Sequence, residues 1–304
     1  TPLYSSAASD VYKRQVLLEL GFPENYNSDW EGPSSLHFIG HMYKTAWCLA
    51  RAYLVNPQEK YRDAAKVLMV DLLNNGGYDF TYGGPCVINE APVNKLFWEV
   101  EQAYTSGLMN YYISSDENDK NRFLEVADGT IDFFMNHFVD TEYGEVYEMT
   151  DREGNVISDQ KGHHDKAGYH TTEFVYYAYL YGNLFYKKEP VELYYFIDAS
   201  DEAQTVSLYP LAIEDNYLKI DKVELDGIPF DNFNRDNRTL NIATNEGGIF
   251  KVTFSNTKPV TGINEPPSNN NLDVNVYPNP VINSCVIEYL SLIHISEPTR
   301  LRRI

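Results

Sequence analysis

Residues 40–55 read GHMYKTAWCLARAYLV. Tyr43, Trp47, Ala50 and Leu54 recur there at helical spacing, so one face is apolar and the period is that of an α-helix. Working outward, residues 61–74 repeat an amphipathic pattern that stops at Gly76-Gly77, a C-cap signal. Residues 94–114 (NKLFWEVEQAYTSGLMNYYIS) predict a third helix with Asn94 as its N-cap. Residues 121–139 predict a fourth, and residues 169–186 (YHTTEFVYYAYLYGNLFY) a fifth, strongly aromatic one. The connectors alternate between a short polar turn, SSDENDK, and long loops holding glycine, aromatics and charge. That alternation predicts stacked helical hairpins with functional loops gathered at one end.

Beyond Lys188 the period changes. Residues 191–197, 205–213, 218–225 and 239–254 alternate or run apolar and are rich in β-branched and aromatic residues. Asp226-Gly227 and Glu246-Gly247-Gly248 supply turn chemistry. The reading is a small antiparallel β-sandwich over 188–255, so the fold class is mainly α with an appended β-domain. Residues 256–271 form a Pro/Asn/Ser linker too polar to bury, and a new strand pattern starts at 272.

The 304 residues carry 24 Lys+Arg against 44 Asp+Glu, a net charge of −20. A polyphosphate would be repelled before any specific contact formed, which argues against nucleic acid as a partner. Tyr 25, Phe 15 and Trp 3 are too many aromatics for a disordered acidic tail. Three cysteines make no disulfide framework and lack metal-ligand spacing. No apolar run reaches the roughly 20 residues of a membrane span, so no membrane insertion is expected. Residues 1–15 (TPLYSSAASDVYKRQ) and 291–304 (SLIHISEPTRLRRI) resemble translated sequencing-adapter read-through and are set aside as non-native ends.

Several residues invite chemistry by type. His37 and His41 stand at i,i+4 spacing, but HFIGH lacks the zincin glutamate and no third ligand is evident, so no metal is expected. Glu99 and Glu101 beside Trp98 would suit a glycosidase pair, or a charged solvated helix face. His137 reads as packing, and His163-His164 as a polar loop or a substrate contact.

The local motifs go further. Gly40-His41-Met42-Tyr43-Lys44-Thr45-Ala46-Trp47 resembles the Gly-His-x-x-Glu-Thr-x-Trp helix of the N-acylglucosamine 2-epimerase and cellobiose 2-epimerase family. Gly77-Tyr78-Asp79-Phe80 followed by Tyr82-Gly83-Gly84 is similar to its Gly-(Trp/Phe)-Asp…Tyr-Gly-Gly loop, and Lys95-Leu96-Phe97-Trp98 to its Lys-x-Trp-Trp helix start. Asp140-Thr141-Glu142-Tyr143-Gly144-Glu145 resembles Asp-x-Glu-Tyr-Gly-Glu. Lys161-Gly162, then Lys166-Ala167-Gly168-Tyr169-His170, is similar to the family's second lysine-histidine stretch. The five motifs run in the family's order and cover residues 30–186.

The resemblance implies the C-terminal half of an (α/α)6 barrel over 16–187, the first half being absent. It implies 2-epimerisation or aldose–ketose isomerisation of a mono- or oligosaccharide, without metal or organic cofactor, in the parent protein rather than in this stretch alone. Abstracting a proton beside a carbonyl at neutral pH needs a base titrating near 7, and returning it to the opposite face needs a second. By position these are His41 and His170, with Trp47, Trp98, Lys44, Glu173, Tyr169, Lys166, His164 and Asp79 as substrate-binding residues. Two charges depart from the pattern: Lys44 replaces a glutamate and Glu173 an arginine, so the two are expected to line the pocket and compensate each other. The alternatives are a glycoside hydrolase or lyase on the same barrel, using Glu99 or Glu101, and a non-catalytic glycan-binding protein.

Val276-Tyr277-Pro278-Asn279-Pro280 resembles the start of the C-terminal sorting domain of Bacteroidota type IX secretion, here truncated over 272–290. That implies a parent protein exported to the medium or cell surface, with the secretion machinery as a partner.

Overall fold

The computed structural model describes residues 28–29, 38–86, 94–210, 213–214, 216–258, 273–277 and 286–290. The adapter-like ends, His37, most of the linker and the Pro278-Asn279-Pro280 signature lie outside the described residues. The chain is helical with several antiparallel sheets and divides into two compact units. One comprises Thr1–Leu49 and Lys60–Thr171, the other Ala50–Glu59 and Thr172–Ile304. No helix among the described residues is long and apolar enough to cross a membrane.

The helices are α1 (Ile39–Val55), α2 (Glu59–Asn74), α3 (Phe97–Ile113), α4 (Glu117–Phe133) and α5 (Tyr169–Tyr181). α4 and α5 continue into π-helical turns, Phe134–Phe138 and Gly182–Lys187. The apolar stripe read in α1 is buried at Tyr43, Trp47, Ala50 and Leu54. In the first unit, Ile39, Met42, Tyr43 and Ala46 of α1 share a core with Leu68, Met69, Leu72 and Leu73 of α2, Ala103 of α3, and Phe123 and Val126 of α4. α2 ends as read, with Gly76 at φ 79° and the Gly77 N–H closing on Leu72 O at 2.8 Å.

Two helix starts differ from expectation. Asn94 does not cap α3, because Lys95–Leu96 form a short strand (β1) paired antiparallel with Met149–Thr150 (β2), which pairs in turn with Val156–Ser158 (β3). The Phe97 N–H is spent on Glu148 O at 3.0 Å, so the helix begins only there, with Leu96 at the cap. α4 starts earlier than read: within the stretch taken as a turn, Asp116 accepts from the N–H groups of Asn118 (2.9 Å) and Asp119 (3.1 Å). Asp116→Ala is therefore expected to lower the midpoint of a denaturant titration.

Two loops of the first unit repeat each other. In residues 79–84 the Asp79 carboxylate accepts from the N–H groups of Thr81 and Tyr82, and the Gly83 N–H returns to Asp79 O at 2.7 Å. In residues 140–145 Asp140 accepts from Glu142 and Tyr143, and the Gly144 N–H returns to Asp140 O at 3.0 Å. Each aspartate holds a cation from a later segment: Arg152 Nε at 2.7 Å for Asp79, and Lys161 Nζ at 2.7 Å for Asp140. A buried lysine closes each loop, Lys95 donating to Gly83 O and Lys166 to the Glu145 carboxylate.

Lys95 has no exposed side-chain surface, with Asp79 Oδ2 at 3.5 Å and the Phe133 ring 4.1 Å below. Burial pushes its ammonium down to about 8 from 10.5, against the pull of Asp79. Between those values the unfolded chain holds the extra proton, so stability rises with pH across that window. Lys95→Met should flatten this rise in denaturant titrations at stepped pH; an unchanged slope would show that Lys95 is not its source.

In the second unit one sheet orders β4 (Val191–Ile197), β10 (Gly248–Asn256), β6 (Leu218–Leu225) and β7 (Ile228–Pro229). A second orders β5 (Gln204–Ser207), β9 (Thr239–Ile242) and β8 (Phe233–Asn234). The central β10 buries Phe250, Val252 and Phe254 and turns Ile249, Lys251 and Thr253 the other way. The run read as 239–254 is two strands, broken where Asn245 takes φ 59°; the run read from 205 stops at Ser207. Asp226-Gly227 forms the expected β6–β7 turn at φ 49° and 82°. Asp273–Tyr277 (β11) pairs antiparallel with Val286–Leu290 (β12).

Candidate functional site

The site grows from the first turn of α3. Pinned by β1, that turn presents Phe97, Trp98 and Glu99 to the start of α1, where Gly40 allows an approach no other residue would. A Cβ at Gly40 would lie 2.5 Å from Trp98 Cζ3 and 2.6 Å from Glu99 Cγ. The Gly40 N–H donates instead to Glu99 Oε1 at 3.2 Å. His41, the next residue, is thereby carried against the indole, with ring centroids 5.0 Å apart and planes at 42°.

His170 arrives from the other end of the unit. Lys166 is sealed under the Phe97 ring, 4.9 Å from its centroid, and donates to Glu145 Oε2 at 2.6 Å. Glu145 Oε1 accepts from Thr171 Oγ1 at 3.2 Å and so ties down the first turn of α5. This anchoring sets the His170 ring 5.9 Å from Trp98, 5.8 Å from Phe97 and 3.9 Å from Tyr169. Both imidazoles therefore flank one indole.

A polar relay runs behind His170. Its Nδ1 lies 2.8 Å from Glu101 Oε2, and an ionised carboxylate can only accept, so Nδ1 carries the hydrogen. The same oxygen accepts from Gln102 Nε2, and Gln102 Oε1 accepts from the Trp47 indole N–H at 2.6 Å. The carboxylate thereby fixes the orientation of the His170 ring.

The fold brings His41, Trp98, Tyr169 and His170 together, and Trp47 joins them through Gln102. Trp47 itself is buried. Lys166 and Asp79 hold loops: Lys166 is fully buried, and Asp79 binds Arg152 through both carboxylate oxygens, at 2.7 and 3.1 Å. Burial pushes the Asp79 carboxyl up, but Arg152 and Lys95 more than offset this and keep it below the usual carboxylate range. His164 is 87% exposed and pairs with Asp165 at 2.7 Å. Lys44 is half-buried on α1 in the first unit, while Glu173, in the second, accepts from the Tyr177 hydroxyl at 2.9 Å. His137 packs on Phe133 at 4.6 Å.

The solvated-face reading of α3 is corrected. Glu99 is 0% and Glu101 1% exposed, because α3 is buried all round from Glu99 to Asn110. Glu101 and Gln102 are the site residues whose roles the sequence left unread. The available signal was a run of polar side chains, Glu99, Glu101, Gln102, Thr105 and Ser106, inside a helix too apolar elsewhere to be a surface one.

No family model matches the chain, and no curated protein matches it. Among solved structures it is similar to a D-mannose isomerase, at 21% identity and TM-score 0.44 over 53% of this chain and 46% of that one. It is similar to the cellobiose 2-epimerase of Bacillus thermoamylovorans B4167, at 20% identity and TM-score 0.44 over 55% and 45%. A third is the alpha-1,6-mannanase of Salegentibacter sp. HEL1_6, at 23% identity and TM-score 0.40 over 48% and 41%. The chain thus spans less than half the length of each of these proteins.

Proposed function

We propose that this chain is part of a cofactor-independent sugar 2-epimerase or aldose–ketose isomerase, comprising half of an α/α barrel followed by a β-sandwich. In this reading the imidazole of one histidine takes the C2 proton of the open-chain sugar. The electron pair passes to the carbonyl oxygen as an enediolate; an imidazole then returns a proton to C2, restoring the aldose, or to C1, giving the ketose once the O2 hydroxyl proton has moved to O1. Delivery by the other histidine, on the opposite face, inverts C2. The observation that carries the proposal is the convergence of His41 and His170 on Trp98, at 5.0 and 5.9 Å, from stretches far apart in sequence. An indole between two bases offers a flat apolar floor for the sugar's C–H face. Glu101 orients the His170 ring through Nδ1 and stabilises the imidazolium once the proton has moved.

Hydrolysis would need two carboxylates facing each other across a glycosidic bond. Glu99 and Glu101 instead accept from the Gly40 N–H and from His170. Export through a type IX sorting domain, with substrate held also by Lys44 and Tyr169, belongs to the same proposal.

The test is proton exchange in D2O. Incubated with aldoses and their β-linked disaccharides, the full-length parent should wash deuterium into C2, seen as loss of the H2 signal by NMR. Release of free sugar from the disaccharide without C2 exchange would overturn the reading in favour of hydrolysis. Glu101→Gln is expected to lower the exchange rate by roughly 10²-fold or more, because an amide can hold the wrong tautomer. A merely structural role for Glu101 would lower stability and leave the pH profile of exchange unmoved.

A further inference from the structure

The loop that delivers His170 carries a feature the proton-transfer reading does not use. Residues 163–166 form a tight hairpin turn: the His163 N–H donates to Lys166 O at 3.1 Å and the Lys166 N–H to His163 O at 3.2 Å. At its tip, donor atoms of His163, His164 and Asp165 all lie within 4.8 Å of one another.

The turn is held from both sides. Lys166 anchors it below, through Glu145 at 2.6 Å and Lys161 O at 3.1 Å. On the other side His163 Nε2 donates to Glu148 Oε1 at 2.7 Å, and Glu148 is itself fixed by the Ser158 hydroxyl at 2.6 Å. A carboxylate on the far nitrogen of a histidine is the outer-shell arrangement that orients metal-binding imidazoles and leaves the other nitrogen with its lone pair. Here that atom is Nδ1, whose lone pair accepts from the Asp165 N–H at 3.2 Å, a bond within the turn that a metal ion would replace. The two remaining side chains face solvent, His164 and Asp165 being 87% and 71% exposed.

We propose that His163, His164 and Asp165 form a binding site for one divalent transition-metal ion of the zinc class. Two imidazoles and one carboxylate are a donor set suited to such ions and poorly suited to magnesium or calcium, which take oxygen ligands. Ligand atoms around tetrahedral zinc sit about 3.4 Å apart, given metal–ligand bonds near 2.1 Å. Closing the gap from 4.8 Å needs rotation of the exposed His164 and Asp165 side chains and release of the Asp165 N–H from His163 Nδ1, whose lone pair the ion would take. The ion would take the place of the hydrogen shared by His164 Nε2 and Asp165 Oδ2, now 2.7 Å apart. Three protein ligands leave a fourth position for water or a ligand oxygen. The proposal does not depend on the sugar chemistry above.

Isothermal titration of the chelator-stripped chain with zinc chloride tests it. One saturable site per chain is expected, with no counterpart in a magnesium titration. His164→Ala and Asp165→Asn should each weaken zinc binding at least tenfold. Both residues are exposed, so an unchanged thermal melt should accompany the loss. Glu148→Gln should weaken binding about 10- to 100-fold through His163 orientation. Absence of a saturable site, or a site that survives the His164→Ala and Asp165→Asn changes made together, would overturn the proposal; the latter would mean that the acidic surface is taking up zinc elsewhere.

Discussion

Replacing His170 with asparagine is expected to lower solvent-deuterium exchange at sugar C2 by about 10²- to 10⁴-fold in the full-length parent. His41→Asn should do the same, and the double variant should be little worse than either alone, because two bases serving one transfer act as a unit. Asparagine keeps a hydrogen-bonding side chain of similar reach, so neither change should disturb packing. His41 is exposed, and an asparagine amide N–H can donate to Glu101 in place of His170 Nδ1. A variant at either position that kept more than a tenth of the exchange rate would remove that histidine from the chemistry. Loss at His170 alone would point to a single-base reaction, with His41 serving only to bind.

The largest stability effect is expected at Asp79. Its carboxylate caps the 79–84 loop, binds the Arg152 guanidinium through both oxygens and lies 3.5 Å from the fully buried Lys95 ammonium. Asp79→Ala would strand that ammonium without its counter-charge, and breaking a buried pair from one side costs about 3–5 kcal/mol. Arg152→Ala, by contrast, removes a half-exposed, solvent-screened partner and should cost far less. Denaturant titrations of both variants check the ordering. Equal costs would mean that the guanidinium, and not the carboxylate, organises the loop.

These two predictions separate what was legible in the sequence from what was not. The helical face of α1, the Gly76-Gly77 stop and the strands at Val191–Ile197 and Leu218–Leu225 were readable because each is set by local period and turn chemistry. The start of α3 was not: a helix signal at Asn94 yields to strand pairing with Met149–Thr150, partners more than fifty residues away. The histidines could be named from their motifs, but Glu101 as the partner of His170 could not. A glutamate within an apolar helix reads as surface until the neighbouring helices are known to cover it.

Asp79 and Lys166 were expected as substrate contacts because they stand in the motifs that carry the family resemblance. Their burial and ion pairs show that such loops need internal charge to hold their shape. The Asp-x-x-Tyr-Gly repeat at 79–83 and 140–144 was visible in the sequence all along. Its meaning, two copies of one loop each closed by a buried lysine, came only with the backbone. The offset is the same in both: Lys95 stands four residues before Glu99, and Lys166 four before His170. Glu99 and His170 thus stand at the same offset from the two buried lysines.

The central claim is that His41 and His170 serve one ligand. Imidazole-resolved NMR of the full-length parent, titrated with an open-chain alditol, measures this without requiring turnover. The account predicts that the ring signals of both histidines move together and saturate at a single shared Kd. Movement of only one ring, or saturation at two different concentrations, would contradict it.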